Sequence, residues 1–153
     1  MTWRGMFFLC AIALVGASCG GQAPPRAERQ PAEGDAASLA DQATAMGCEP
    51  ASTEIRLVAL DSETGKPPSY DKECIAVPAG EAFRVRLRSE DFLEHNFSVF
   101  NNEDLGELIF RGERFRGPGV TLDYEVPAIE QPGRYTFVCD VHLTQMRGTL
   151  FVQ

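Results

Sequence analysis

Between Phe83 and Arg88 apolar and charged residues alternate without exception: Phe83, Val85 and Leu87 fall on one face, Arg84, Arg86 and Arg88 on the other. Period two is the pattern of a strand with one face in a core and one in water. A helix would spread these residues around its circumference. The all-Arg face reads as a solvated sheet face more readily than as a binding patch. The same period recurs from about Cys48 to Gln153. Ile55, Leu57 and Ala59 alternate with Glu54, Arg56 and Val58; Cys74, Ala76 and Pro78 alternate with Ile75 and Val77. Val120, Leu122, Tyr124 and Val126 alternate with Thr121, Asp123 and Glu125. His95–Phe100, Tyr135–Cys139 and Thr149–Val152 read as further strands, and Gly, Pro, Asn and Asp turns separate them. No amphipathic helix stands out after residue 50, and Glu103–Phe110 fits neither period. So many short strands in one stretch imply an all-β fold, a two-sheet sandwich or a small barrel.

The chain before Cys48 has another character. One positive charge at Arg4 precedes an apolar run from Met6 to Ala17, too short to span a bilayer. Small residues Gly16, Ala17 and Ser18 follow, directly before Cys19. These are the parts of an export signal, and the end resembles a bacterial lipobox, in which Cys19 is acylated and becomes the first mature residue. Gly20–Gly47 is rich in Ala, Gln, Gly and Pro and has little to bury, so it reads as a flexible tether; Ser38–Met46 could form a short helix within it. The expected organisation is a lipoprotein signal peptide over 1–18, a tether over 19–47 and a folded domain over 48–153. The folded domain would then lie outside the cytoplasm, in the periplasm or at the cell surface, held to the membrane by lipid at Cys19. Lys and Arg number 14 against 22 Asp and Glu, a formal net charge of −8. That balance excludes the basic footprint a nucleic-acid binder needs.

The whole chain has five Cys and only two His. Two His cannot build a three-His zinc site. Near the C-terminus Cys139, His142 and Met146 share one short loop, and Cys139 has the strand phase of the aromatics Tyr135 and Phe137. The other His, His95, shares a face with Phe97 and Val99. Two imidazoles, one thiolate and a weak thioether are the donor set of a blue-copper electron-transfer site. Thiolate and thioether suit Cu(I), while imidazole also suits Cu(II). A thiol enzyme built on Cys139 and a His would lack an evident third partner.

Residues 48–153 resemble the cupredoxins, of the plastocyanin, pseudoazurin and amicyanin kind. The resemblance is carried by Val77-Pro78-Ala79-Gly80-Glu81 before a strand and by His95-Asn96-Phe97. It continues in Pro132-Gly133, Tyr135, Phe137, Cys139 and His142, and closes at Met146-Arg147-Gly148-Thr149-Leu150. It implies a Greek-key β-sandwich of two sheets binding one type 1 copper ion. It further implies His95, Cys139 and His142 as equatorial ligands, Met146 as the axial one and His142 as the electron exit. Two positions depart from the relatives. Three residues separate His142 from Met146, where relatives show two or four, so Gln145 stands as the other axial candidate. Val141 replaces a common Pro and keeps an N–H; it is expected to hydrogen-bond the Cys139 sulfur beside the Asn96 backbone N–H.

With Cys139 so placed, Cys10 leaves with the signal and Cys19 takes lipid. Cys48 and Cys74 flank the first strand region in an oxidising compartment, and a disulfide between them is expected. The function implied is a lipid-anchored carrier of single electrons, not an enzyme, with no catalytic residue. Its partner would be a redox protein such as a cytochrome or a membrane oxidoreductase, and a monomer is expected. Leu93 and Leu143 would rim the exit, while Glu90, Asp91, Glu94 and Asp140 would steer a basic partner. The alternative is a periplasmic copper-binding or delivery protein with no electron-transfer role.

Overall fold

A computed structural model describes residues 37–60, 62 and 66–153. The expected signal peptide, Cys19 and the expected tether as far as residue 36 lie outside the described residues. Among the described residues no helix is long and apolar enough to cross a membrane.

Among the described residues one helix, α1 (Leu39–Ala45), precedes ten strands. These are β1 (Glu54–Ala59), β2 (Cys74–Val77), β3 (Phe83–Ser89), β4 (Glu94–His95) and β5 (Ser98–Phe100). β6 (Leu108–Arg111), β7 (Phe115–Arg116), β8 (Thr121–Val126), β9 (Gly133–Val138) and β10 (Arg147–Val152) complete the chain. They form a three-stranded sheet in the order β1-β3-β8, a five-stranded sheet in the order β2-β10-β9-β5-β6, and a two-stranded sheet of β4 and β7. The β1–β3 and β2–β10 pairs are parallel; the others are antiparallel.

The alternation in β3 decides how the smaller sheet lies. Phe83, Val85 and Leu87 are buried with Ile55 and Leu57 of β1 and Tyr124 and Val126 of β8. Ile75, Val77, Val99, Phe137, Leu150 and Val152 of the larger sheet join the same core. The chain is thus an all-β sandwich. The Arg face is solvated but not free: Arg84 bonds Glu125 at 2.6 Å and Arg86 grips Asp123 with two hydrogen bonds of 2.7 and 2.8 Å. In the β3–β8 register these residues stand directly opposite one another, where unlike charges are mildly stabilising.

β2 is buried on both faces. The outer face, Cys74 and Ala76 with Phe151 of β10, is covered by Ala43 and Leu39 of α1. A capping box starts this helix, with Ser38 Oγ accepting from the Asp41 N–H at 3.2 Å and the Asp41 carboxylate accepting in return. The expected Cys48–Cys74 disulfide is present, with the two Cα atoms 5.3 Å apart. α1, which precedes Cys48, thus packs on the larger sheet.

His95–Phe100, read from the sequence as one strand, is two. β4 pairs with β7 and β5 pairs with β9 and β6, so the chain changes sheets at Asn96-Phe97. The break follows from burial on every side. His95, Asn96, Phe97, Ser98 and Val99 are all buried, which leaves no solvent face to impose period two. The unassigned stretch 103–110 resolves into a turn and β6. Asn102 Oδ1 accepts from the Asp104 and Gly106 N–H groups, and Leu105 takes a positive φ of 57°.

Candidate metal centre

The centre sits where three structural pieces end. β4 supplies His95, the end of β9 supplies Cys139 as the next residue, and the turn before β10 supplies His142 and Met146. That turn is held by backbone bonds. The Cys139 N–H donates to Met146 O at 2.9 Å, the His142 N–H to Cys139 O at 3.0 Å and the Met146 N–H to His142 O at 2.9 Å. Cys139 is thereby pinned from both ends of the loop.

One potential ligand atom each from His95, Cys139 and His142 falls within 4.8 Å of the others. Cys139 Sγ lies 3.5 Å from His142 Nδ1, and the two imidazole centroids are 5.3 Å apart. His95, Cys139 and Met146 have no exposed surface, while His142 is partly exposed. Gln145 is exposed, so of the two axial candidates only Met146 reaches the interior, where it packs in the core cluster that holds Cys139. Cys139 is the free cysteine among the described residues.

The two nitrogens of His95 have different surroundings. Nε2 lies 2.7 Å from Asp91 Oδ1, whereas Nδ1 is buried and has no hydrogen-bond partner among the described residues. An orphaned buried nitrogen is costly unless something binds it. Here it belongs to a group that clusters with a thiol and a second imidazole. The donor chemistry and the orphan nitrogen both fit a copper ion.

Burial keeps both the Cys139 thiol and the His142 imidazole neutral at pH 7 in the metal-free protein. Burial pushes the Cys139 thiol up, against the opposing pull of the Asn96, Val141 and His142 backbone N–H groups. Burial, with His95 nearby, lowers His142 below its ordinary value of 6.5, so it is neutral at pH 7. Burial works to raise the Asp91 carboxyl, but hydrogen bonds from His95, Ser62 and the Leu93 N–H outweigh it and hold Asp91 below 3.8.

Asn96 joins the ligand segments. Its Oδ1 accepts from the Asp140 N–H at 2.8 Å, and its Nδ2 donates to Gly112 O at 3.0 Å and to Ser98 Oγ at 3.2 Å. The Tyr70 hydroxyl donates to Asn96 O at 2.7 Å. Neither tie was read from the sequence, because both depend on contacts between distant segments.

The expected steering acids are largely neutralised. Asp91 is 1% exposed and engaged with His95. Glu94 faces Arg114 and Arg116, Asp140 faces Arg111 at 2.9 Å, and Glu90 faces Arg88. The expected apolar rim is larger than Leu93 and Leu143. Phe92, 68% exposed, and Val141 belong to the same two segments.

No protein-family model matches the sequence, and no curated protein matches it. Solved structures do. An auracyanin from Roseiflexus castenholzii superposes with a TM-score of 0.55 at 21% identity, covering 67% of this chain and 98% of that one. Auracyanin A from Chloroflexus aurantiacus, a "blue" copper protein, gives 0.53 at 17% identity, covering 65% and 98%. Rusticyanin from Thiobacillus ferrooxidans gives 0.51 at 18% identity, covering 65% and 76%. The chain has a cupredoxin fold. In this cupredoxin fold His95 and the Cys139–Met146 loop meet at one end of the sandwich, and the buried donors come from two different sheets and one turn.

Proposed function

We propose that the protein carries single electrons, with one type 1 copper ion held by His95, Cys139, His142 and Met146. The convergence of an orphaned imidazole nitrogen, a buried thiol and a second imidazole within 4.8 Å supports this reading above all else. When bound, copper would supply a one-electron Cu(II)/Cu(I) couple. The chain's own residues do the rest. Cys139 gives up its proton to become the thiolate, so loading releases a proton. His95, Cys139 and Met146 exclude water by full burial. The backbone bonds of the 139–146 turn hold the donors still, which keeps reorganisation small.

Partly exposed His142 is the electron exit. The apolar surfaces of Phe92, Leu93, Val141 and Leu143 lose water when a redox protein docks there. The complete burial of three of the four donors favours retention of the ion over its delivery to an acceptor. The protein works outside the cytoplasm, tethered by lipid at Cys19, and turns over no substrate.

Copper-loaded protein is expected to show an intense visible thiolate-to-copper band and a type 1 electron-paramagnetic-resonance signal. Cys139→Ser is expected to abolish both. Wild-type protein that takes up copper without the visible band would overturn the reading.

A further inference from the structure

We infer that Asp91 is a positioning residue for the metal centre, a buried carboxylate that orients His95 and biases the centre towards its oxidised state. The inference rests on the copper reading above. Its geometric basis is a chain of contacts that ends at the orphan nitrogen. Asp91 and His95 side chains are both completely inaccessible to solvent. Asp91 Oδ1 accepts from the Leu93 N–H at 2.9 Å and from His95 Nε2 at 2.7 Å. Asp91 Oδ2 accepts from Ser62 Oγ at 2.8 Å. Ser89 Oγ donates to Asp91 O at 3.0 Å, which fixes the backbone beneath the carboxylate.

Two consequences follow. The first concerns the proton. A carboxylate with three donors accepts and does not give, so the His95 ring proton sits on Nε2. The lone pair is then on Nδ1, the atom with no other partner. Asp91 thus selects the tautomer and the ring orientation that a metal needs, as outer carboxylates do for ligand histidines.

The second concerns charge. A divalent ion with one thiolate leaves the centre at about +1, and a monovalent ion leaves it neutral. A carboxylate one imidazole away, shielded from water, stabilises the more positive state more strongly. Asp91 therefore lowers the reduction potential relative to a neutral residue of the same shape. Asp91→Asn keeps an acceptor for Nε2 and removes only the charge, while Asp91→Ala removes both.

The experiment combines four readouts on full-length protein. Asp91→Asn is expected to keep the visible band and to shift the Cu(II)/Cu(I) equilibrium towards Cu(I) by about tenfold or more, ~59 mV for one electron. Asp91→Ala is expected to shift the potential the same way and also to alter the band and speed copper loss, because His95 is no longer pinned. Nitrogen-15 resonances of the metal-free wild type are expected to place the His95 proton on Nε2.

Unchanged potentials in both variants, with the band retained, would overturn the electrostatic role. A wild-type His95 proton on Nδ1 would overturn the positioning role, even if neither variant folds. A wild type lacking the visible band would instead sink the copper reading, and the nitrogen resonances would still decide how Asp91 sets His95.

Discussion

His142 and Asp91 sit on either side of the question of what acid does to the metal-free protein. Both have pKa values lowered by folding, His142 from 6.5 and Asp91 from 3.8. In each range the unfolded chain binds more protons than the folded one, so stability rises with pH there. Metal-free protein is therefore expected to be most stable above about pH 6.5, to weaken as pH falls through the His142 range, and to weaken further below about pH 4 as Asp91 protonates. Thermal midpoints at about pH 7.5, 5.5 and 3.5 should fall in that order. Equal midpoints at the two higher values would contradict the account of His142. The site residues themselves were legible in the sequence because donor chemistry is carried by residue type: His95, Cys139, His142 and Met146 need no neighbours to be noticed. Asp91 was legible only as an acid. Its burial depends on Ser62 and on the packing of β4, which no local pattern reports.

At the scale of elements, the strands that alternate were readable and those that do not were obscured. β3 and β8 have one wet face, so period two marks them. His95 to Val99, across β4 and β5, are buried all round, and β6 and β7 are short strands whose pairing is decided by partners far along the chain. Close approach of elements also makes demands that composition hides. A Cβ at Gly148 would collide with the Phe137 ring, which is itself fully buried, and stand 2.6 Å from Glu73 O. A Cβ at Gly112 would stand 2.7 Å from Phe97 O and 2.5 Å from the Tyr124 ring. Gly148→Ala and Gly112→Ala are each expected to cost about 1–3 kcal/mol through overpacking. Denaturant unfolding would measure this. A neutral result at Gly148 would show that the β2–β10–β9 layer can relax.

For the whole molecule, the fold class and the expected sandwich were carried by alternation plus turn residues, but the packing of α1 on the sheet was not. The stretch from Ser38 to Met46 has the composition of a tether. It is held because Ala43 covers Phe151 and Ala76, a face that β2 and β10 would otherwise expose. The Cys48–Cys74 bond locks that cover in place across 26 positions of chain. By loop-closure entropy the bond is expected to contribute about 3–4 kcal/mol. The double variant Cys48→Ser, Cys74→Ser should lose stability of that order in denaturant titrations, with Cys139 untouched. No loss would mean that the α1 contacts alone hold the segment.

The same bond has a consequence for damage. Everything between β1 and the start of β2 lies inside the covalent ring that Cys48 and Cys74 close. A protease that cuts the chain there opens the ring without dividing the molecule. The piece carrying α1 and whatever precedes it stays joined to the piece carrying His95, Cys139, His142 and Met146. Only a cut together with a reductant would break the last covalent link between the two pieces.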